Sequence, residues 1–123
     1  MSKTAPRLLL VDDEPVIRET FARYLRAGGW DVRAVESAEE AISLAERERF
    51  AIVLLDNVLM GATGITALPR LIELTKAPVL LMTGYADNDF EKEAKILGAK
   101  AILRKPIELA EIDRTLRHAI GLA

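Results

Sequence analysis

The chain has 123 residues, half of them hydrophobic and 29% charged, with a formal net charge of −2, a length and balance that suit one domain (1–123) with its own core. The charge is too small to attract nucleic acid or an anionic membrane, and there is no cysteine for a disulfide or a thiolate metal site. No apolar stretch is long enough to span a bilayer, and residues 1–7 lack the apolar core of a secretory signal, so the expectation is a cytoplasmic protein.

Leu8-Leu9-Leu10-Val11 is a short apolar run ending in Asp12-Asp13, and it reads as a buried strand. Ile17, Phe21, Tyr24 and Leu25 then recur at helical spacing until Gly28-Gly29 stops the run. Trp30, Val32 and Ala34 alternate with Asp31 and Arg33, the pattern of a half-exposed edge strand with a partly buried Trp30. Ser37 followed by Glu40 fits a capping box for a helix to about Glu48. A third buried strand, Ala51 to Leu55, ends in Asp56.

A loop with Gly61 and Gly64 follows, then a helix ending near Thr75. Pro69 inside that helix would cost about 3 kcal/mol or kink it. The expectation is therefore a helix that starts near Leu68 with Pro69 in its first turn, after an unusually long or mobile segment over 57–68. Pro78 opens a fourth strand that ends in Thr83. Residues 87–97 read as the fourth helix, stopped by Gly98. The fifth strand, 101–104, leads into Lys105-Pro106. In the fifth helix, 108–120, Glu108 and Glu111 come early and Arg114, Arg117 and His118 late, which suits the helix dipole. His118 itself reads as a cation at a helix end.

Five strand–helix units in a row imply an α/β fold: a doubly wound five-stranded parallel sheet with helices on both faces. In open sheets of this kind, ligands bind beyond the carboxyl ends of the strands. Asp12, Asp13, Asp56, Thr83 and Lys105 all belong there. Three carboxylates so close repel one another, and a hard cation with oxygen ligands relieves them. A carboxylate can also act as nucleophile and form an aspartyl phosphate. Phosphoryl transfer then needs positioning and charge on the equatorial oxygens, which Mg²⁺, the Lys105 ammonium and the Thr83 hydroxyl can supply. Gly84 leaves room for the group to enter. Taken singly, each residue has an ordinary reading: a helix start at Asp12-Asp13-Glu14-Pro15, a strand end at Asp56, a turn hydroxyl at Thr83, a surface charge at Lys105. The ordered set is specific.

Asp12-Asp13, Asp56, Thr83-Gly84 and Lys105-Pro106, in this order and spacing, make the whole chain resemble the receiver domain of two-component response regulators. The resemblance implies the flavodoxin-like strand order 2-1-3-4-5 and phosphorylation on Asp56. It also implies Mg²⁺, or Mn²⁺ in its place, held by Asp12, Asp13, Asp56 and the backbone carbonyl of Val58. Lys105 would pair with the phosphoryl group, Thr83 would turn toward it, and the Lys105–Pro106 bond would be cis. The implied donor is a histidine kinase or histidine phosphotransfer protein, meeting the exposed side of the first helix (Val16, Arg18, Glu19, Arg23). The implied readers are a downstream protein or output domain, or a second copy in a phosphorylation-dependent homodimer, at the fourth helix, fifth strand and fifth helix. Such a domain catalyses only its own phosphorylation and dephosphorylation and is no enzyme in the usual sense.

Three positions depart from the family pattern. Met60 stands where a proline is usual, Pro69 falls in the third helix, and Ile102 replaces the aromatic residue that swings inward on activation. Isoleucine is stiff at χ1, so activation would run through Thr83 and Tyr85. Val58 and Tyr85 stand at the two positions that tune dephosphorylation in the family, and neither carries a carboxylate or amide to orient water, which implies slow self-hydrolysis. Two rival readings share these residues. One is a phosphorylation-independent interaction module on the same fold. The other is a phosphatase of the haloacid dehalogenase type, disfavoured because its nucleophile lies on the first strand. A flavodoxin lacks support, since no phosphate loop follows the first strand.

Overall fold

The computed structural model describes residues 5–59, 62–84 and 87–122. Its main sheet holds β1 (Arg7–Val11), β2 (Asp31–Val35), β3 (Ile52–Asp56), β6 (Val79–Thr83) and β7 (Ala101–Arg104). They lie in the order β2-β1-β3-β6-β7, which is 2-1-3-4-5 among the strands of this sheet, and every pairing is parallel. Between β3 and β6 the chain makes a small antiparallel ribbon of β4 (Val58–Leu59) and β5 (Ala62–Thr63). The helices are α1 (Pro15–Ala27), α2 (Ala38–Arg47), α3 (Gly64–Thr75), α4 (Asn88–Ile96) and α5 (Leu109–Ala119).

Alternation along the strands builds two cores. Leu9, Val11, Val53, Leu55, Val79 and Leu81 face one way and meet Ala41, Leu44, Leu68, Leu71 and Ala94 of α2, α3 and α4. Leu8, Leu10, Ile52, Leu54, Leu80 and Met82 face the other way and meet Ala22, Leu25, Ile112 and Leu116 of α1 and α5. Because both faces are covered, β3 and β6 read as unbroken apolar runs, and every residue in them is buried.

Local signals set most helix ends. Ser37 accepts from the Glu40 amide at 3.1 Å, and Asp87 accepts from the Phe90 amide at 2.8 Å, each satisfying an amide of a first turn. Pro15 opens α1.

The third helix corrects the sequence reading. It starts at Gly64, not near Leu68, and Pro69 lies inside it. Tertiary contacts fix that start: the Gly64 amide donates to the Asn57 carbonyl at 2.6 Å and the Ile65 amide to Asn57 Oδ1 at 3.2 Å. Pro69 is exposed, so its ring faces solvent while Ala67, Leu68 and Leu71 fill the core. Of the expected segment, 58–59 and 62–63 form the β4–β5 ribbon and 64–68 are already in α3; Met60 and Gly61 lie outside the described residues. Trp30 is a second correction. It precedes β2 and is only 3% exposed, because its Nε1 donates to Asp113 of α5 at 2.8 Å and Arg117 lies over its ring.

Candidate functional site

Register places the site. Pairing of Val11 with Leu55 sets Asp12 beside Asp56 one residue further on. Asp56 pairs with Met82, and Thr83 with Arg104, so Thr83 and Lys105 follow at the same end of the sheet. The Lys105 amide donates to the Thr83 carbonyl at 2.8 Å, joining the two. The Lys105–Pro106 bond is cis.

Oxygens of Asp12, Asp13 and Asp56 lie within 4.8 Å of one another. Asp12, Asp56 and Thr83 are buried, at 0%, 1% and 2% exposure. Lys105 Nζ sits 3.1 Å from Asp56 Oδ2, and the Val58 amide points at Asp56 Oδ1 from 3.3 Å. The phosphoacceptor candidate is thus buried and paired with one cation at the carboxyl end of the sheet.

Asp12 has three polar positions spoken for. Its amide donates to the Val35 carbonyl at 3.1 Å. Its carbonyl accepts from Arg18 at 2.9 Å, and its Oδ1 accepts from the Glu14 amide at 2.9 Å. Oδ2 is buried and accepts no hydrogen bond from any described residue. Burial pushes the Asp12 carboxyl up to about 6; the Glu14 amide opposes that shift, the Asp56 charge adds to it and Lys105 opposes it. Asp12 therefore makes a turn ahead of α1 without capping it: the N-cap is Glu14, without a side-chain bond.

A buried carboxylate oxygen without a partner is costly. Here it faces two further carboxylates, a donor set of hard oxygens. A small divalent cation such as Mg²⁺ takes one or two carboxylates plus other oxygens, so these residues fit such an ion.

Val58 opens β4 two residues past Asp56 and is 66% exposed. A side-chain carbon at Gly84 would touch nothing within 4 Å, so protein packing does not demand glycine there. Ile102 is half-buried against the core under α2, α3 and α4. Tyr85 lies outside the described residues. Sequence reasoning missed the roles of Asn57 and Arg18. Asn57 follows Asp56, and its side chain accepts from the Ile65 amide in the first turn of α3, a contact across eight residues that no local pattern signals. Nothing in the sequence shows that Arg18 reaches back to Asp12.

The family model of the response regulator receiver domain matches residues 8–117. The response regulator protein FleR of Pseudomonas aeruginosa is 39% identical over 119 residues, covering 95% of this chain and 25% of FleR. This chain therefore spans a quarter of that relative's length. Among solved structures, a response regulator protein from Burkholderia pseudomallei with a phosphorylated aspartic acid, calcium ion and citrate superposes with a TM-score of 0.84 at 30% identity, over 94% of this chain and 66% of that one. The receiver domain of a sensor histidine kinase from Pseudomonas aeruginosa, with magnesium coordinated in its active site cleft, superposes with a TM-score of 0.83 at 29% identity, over 95% and 98% of the two chains.

Proposed function

This chain belongs to the response regulator receiver family of two-component systems, and on that premise we propose that Asp56 is its phosphoacceptor, working with Mg²⁺ on a phosphohistidine donor. The observation that carries this reading is a buried Asp56 carboxylate 3.1 Å from Lys105 inside a group of three acids.

One Asp56 oxygen attacks the donor's phosphorus. The bond from phosphorus to the imidazole nitrogen breaks, and the nitrogen keeps the electron pair. Lys105, already against Asp56, pairs with the transferred group, which offers charged acceptors. Thr83, at the end of β6, donates its hydroxyl to another phosphoryl oxygen, and Gly84 leaves the approach open. Asp12, Asp13, Asp56 and the Val58 carbonyl would hold Mg²⁺, which supplies positive charge against the equatorial oxygens. Asp56 and Lys105 thus orient the reaction, while burial of Asp56 excludes competing water.

The donor is a histidine kinase or histidine phosphotransfer protein in the cytoplasm. The readers are a downstream protein, an output domain or a second phosphorylated copy. The complete acid-and-lysine site weighs against a phosphorylation-independent module.

The test is the intact mass after incubation with Mg²⁺ and a small acyl phosphate. We expect a gain of one phosphoryl group, lost with EDTA and in Asp56→Asn. An unchanged mass under conditions where Mg²⁺ binds, also with a cognate kinase, would overturn the reading.

A further inference from the structure

Arg18 is half-buried on α1 and lines a groove of about 390 Å³ with Glu19, Ala22, Arg23 and Arg26. Its guanidinium does not simply face that groove. It reaches back over the first turn and donates to the Asp12 carbonyl at 2.9 Å. The Arg18 amide is itself tied to the Glu14 carbonyl at 2.9 Å, so α1 gives the side chain a rigid base.

The carbonyl that Arg18 holds belongs to the peptide joining Asp12 to Asp13. Rotation of that peptide would swing the two carboxylates relative to each other. On one side the Asp12 amide is fixed by β2, through Val35. On the other, Glu14 holds Asp12 Oδ1. The Asp12 carbonyl is a direct handle on that plane, and Arg18 grips it.

We propose that Arg18 is a positioning residue for the acidic pair: it fixes the Asp12–Asp13 peptide and so holds both carboxylates where one divalent cation meets them. The proposal rests on the reading that this site takes Mg²⁺. It opposes the simplest electrostatic expectation. A guanidinium bonded to the backbone between two of the acids adds positive charge that repels a cation, so charge alone predicts tighter Mg²⁺ binding when Arg18 is neutralised. Positioning predicts the reverse, because losing a partner that orients ligands typically weakens metal affinity by 10–100-fold.

The experiment is Mg²⁺ titration by calorimetry on the whole chain, as unmodified protein and as Arg18→Met, Arg18→Lys and Arg23→Met. Arg23→Met removes the same charge from the same groove and reports the charge effect alone. We expect Arg18→Met to bind about tenfold more weakly, the low end of that range. Arg23→Met should bind as tightly as the unmodified protein or slightly tighter, and Arg18→Lys, which keeps the charge and a single-point donor, should fall between. Arg18 variants that bind as tightly as Arg23→Met overturn the proposal. Should Arg18→Met fail to fold, judged by Trp30 fluorescence, Arg18→Gln takes its place in the comparison with Arg23→Met: weaker binding supports positioning, and equal or tighter binding overturns it. Unmodified protein that binds no Mg²⁺ removes the site reading itself, and the proposal with it.

Discussion

Asp12 shows how one residue can set the pH behaviour of the metal-free protein. Burial holds its carboxyl at about 6 against an ordinary 3.8. Between those values the folded chain keeps a proton that the unfolded chain has released. Stability from this group is therefore fully present below about pH 4 and falls as pH rises through about 6, by at most about 3 kcal/mol. Urea denaturation at pH 4.5, 5.5 and 7 should show that Asp12→Asn lacks this decline. Mg²⁺ binding needs the ionised form, so its affinity should drop as pH falls below about 6. Calorimetry at the same pH values checks that, and a pH-independent affinity would contradict it.

At the scale of elements, α3 carries the clearest tension between local preference and tertiary demand. Pro69 removes the amide that would bond to the Ile65 carbonyl, yet the helix runs from Gly64. Its ring is exposed and its neighbours fill the core, so the chain tolerates a lost hydrogen bond to keep Leu68 and Leu71 buried. Pro69→Ala should restore that bond and raise stability by about 2 kcal/mol, the helix gain less the entropy proline removes from the unfolded chain. At Gly64 the sign reverses. A side-chain carbon there would lie 2.4 Å from the Asp56 carbonyl oxygen, so Gly64→Ala should cost about 1 to 3 kcal/mol. Urea midpoints measure both changes. Gly64→Ala should also slow phosphorylation of Asp56, because the clash falls on the backbone of that residue.

Across the whole molecule, the two cores press all five sheet strands into register, and the carboxyl ends then gather like charges at one end. The fold thus bears a local electrostatic cost to create the site. Asp13→Asn should raise the melting temperature of the metal-free protein, since it removes one repelling charge. On the proposed Mg²⁺ site, it should also abolish the rise expected of the unmodified protein, about 1.4 kcal/mol when Mg²⁺ is at ten times its dissociation constant. Thermal unfolding with and without Mg²⁺ tests both halves at once. A stabilised Asp13→Asn that still responds to Mg²⁺ would remove Asp13 from the ligand set.

By itself the sequence determined the five strand–helix units and the gathering of Asp12, Asp13, Asp56, Thr83 and Lys105. Apolar runs such as Leu8–Val11 and Val79–Met82 are long enough to bury, and each polar residue ends or follows a strand, so parallel order alone brings them together. Capping at Ser37 was equally legible, because it acts within one turn. Only the tertiary structure decided where α3 begins, how deeply Trp30 is buried and what Arg18 holds. Those outcomes rest on contacts with residues distant in sequence or on a side chain folding back, as from Asp113 to Trp30 and from Arg18 to Asp12. Periodicity and turn preferences report how each segment would behave alone; burial and hydrogen bonding across segments outweigh them where the two conflict.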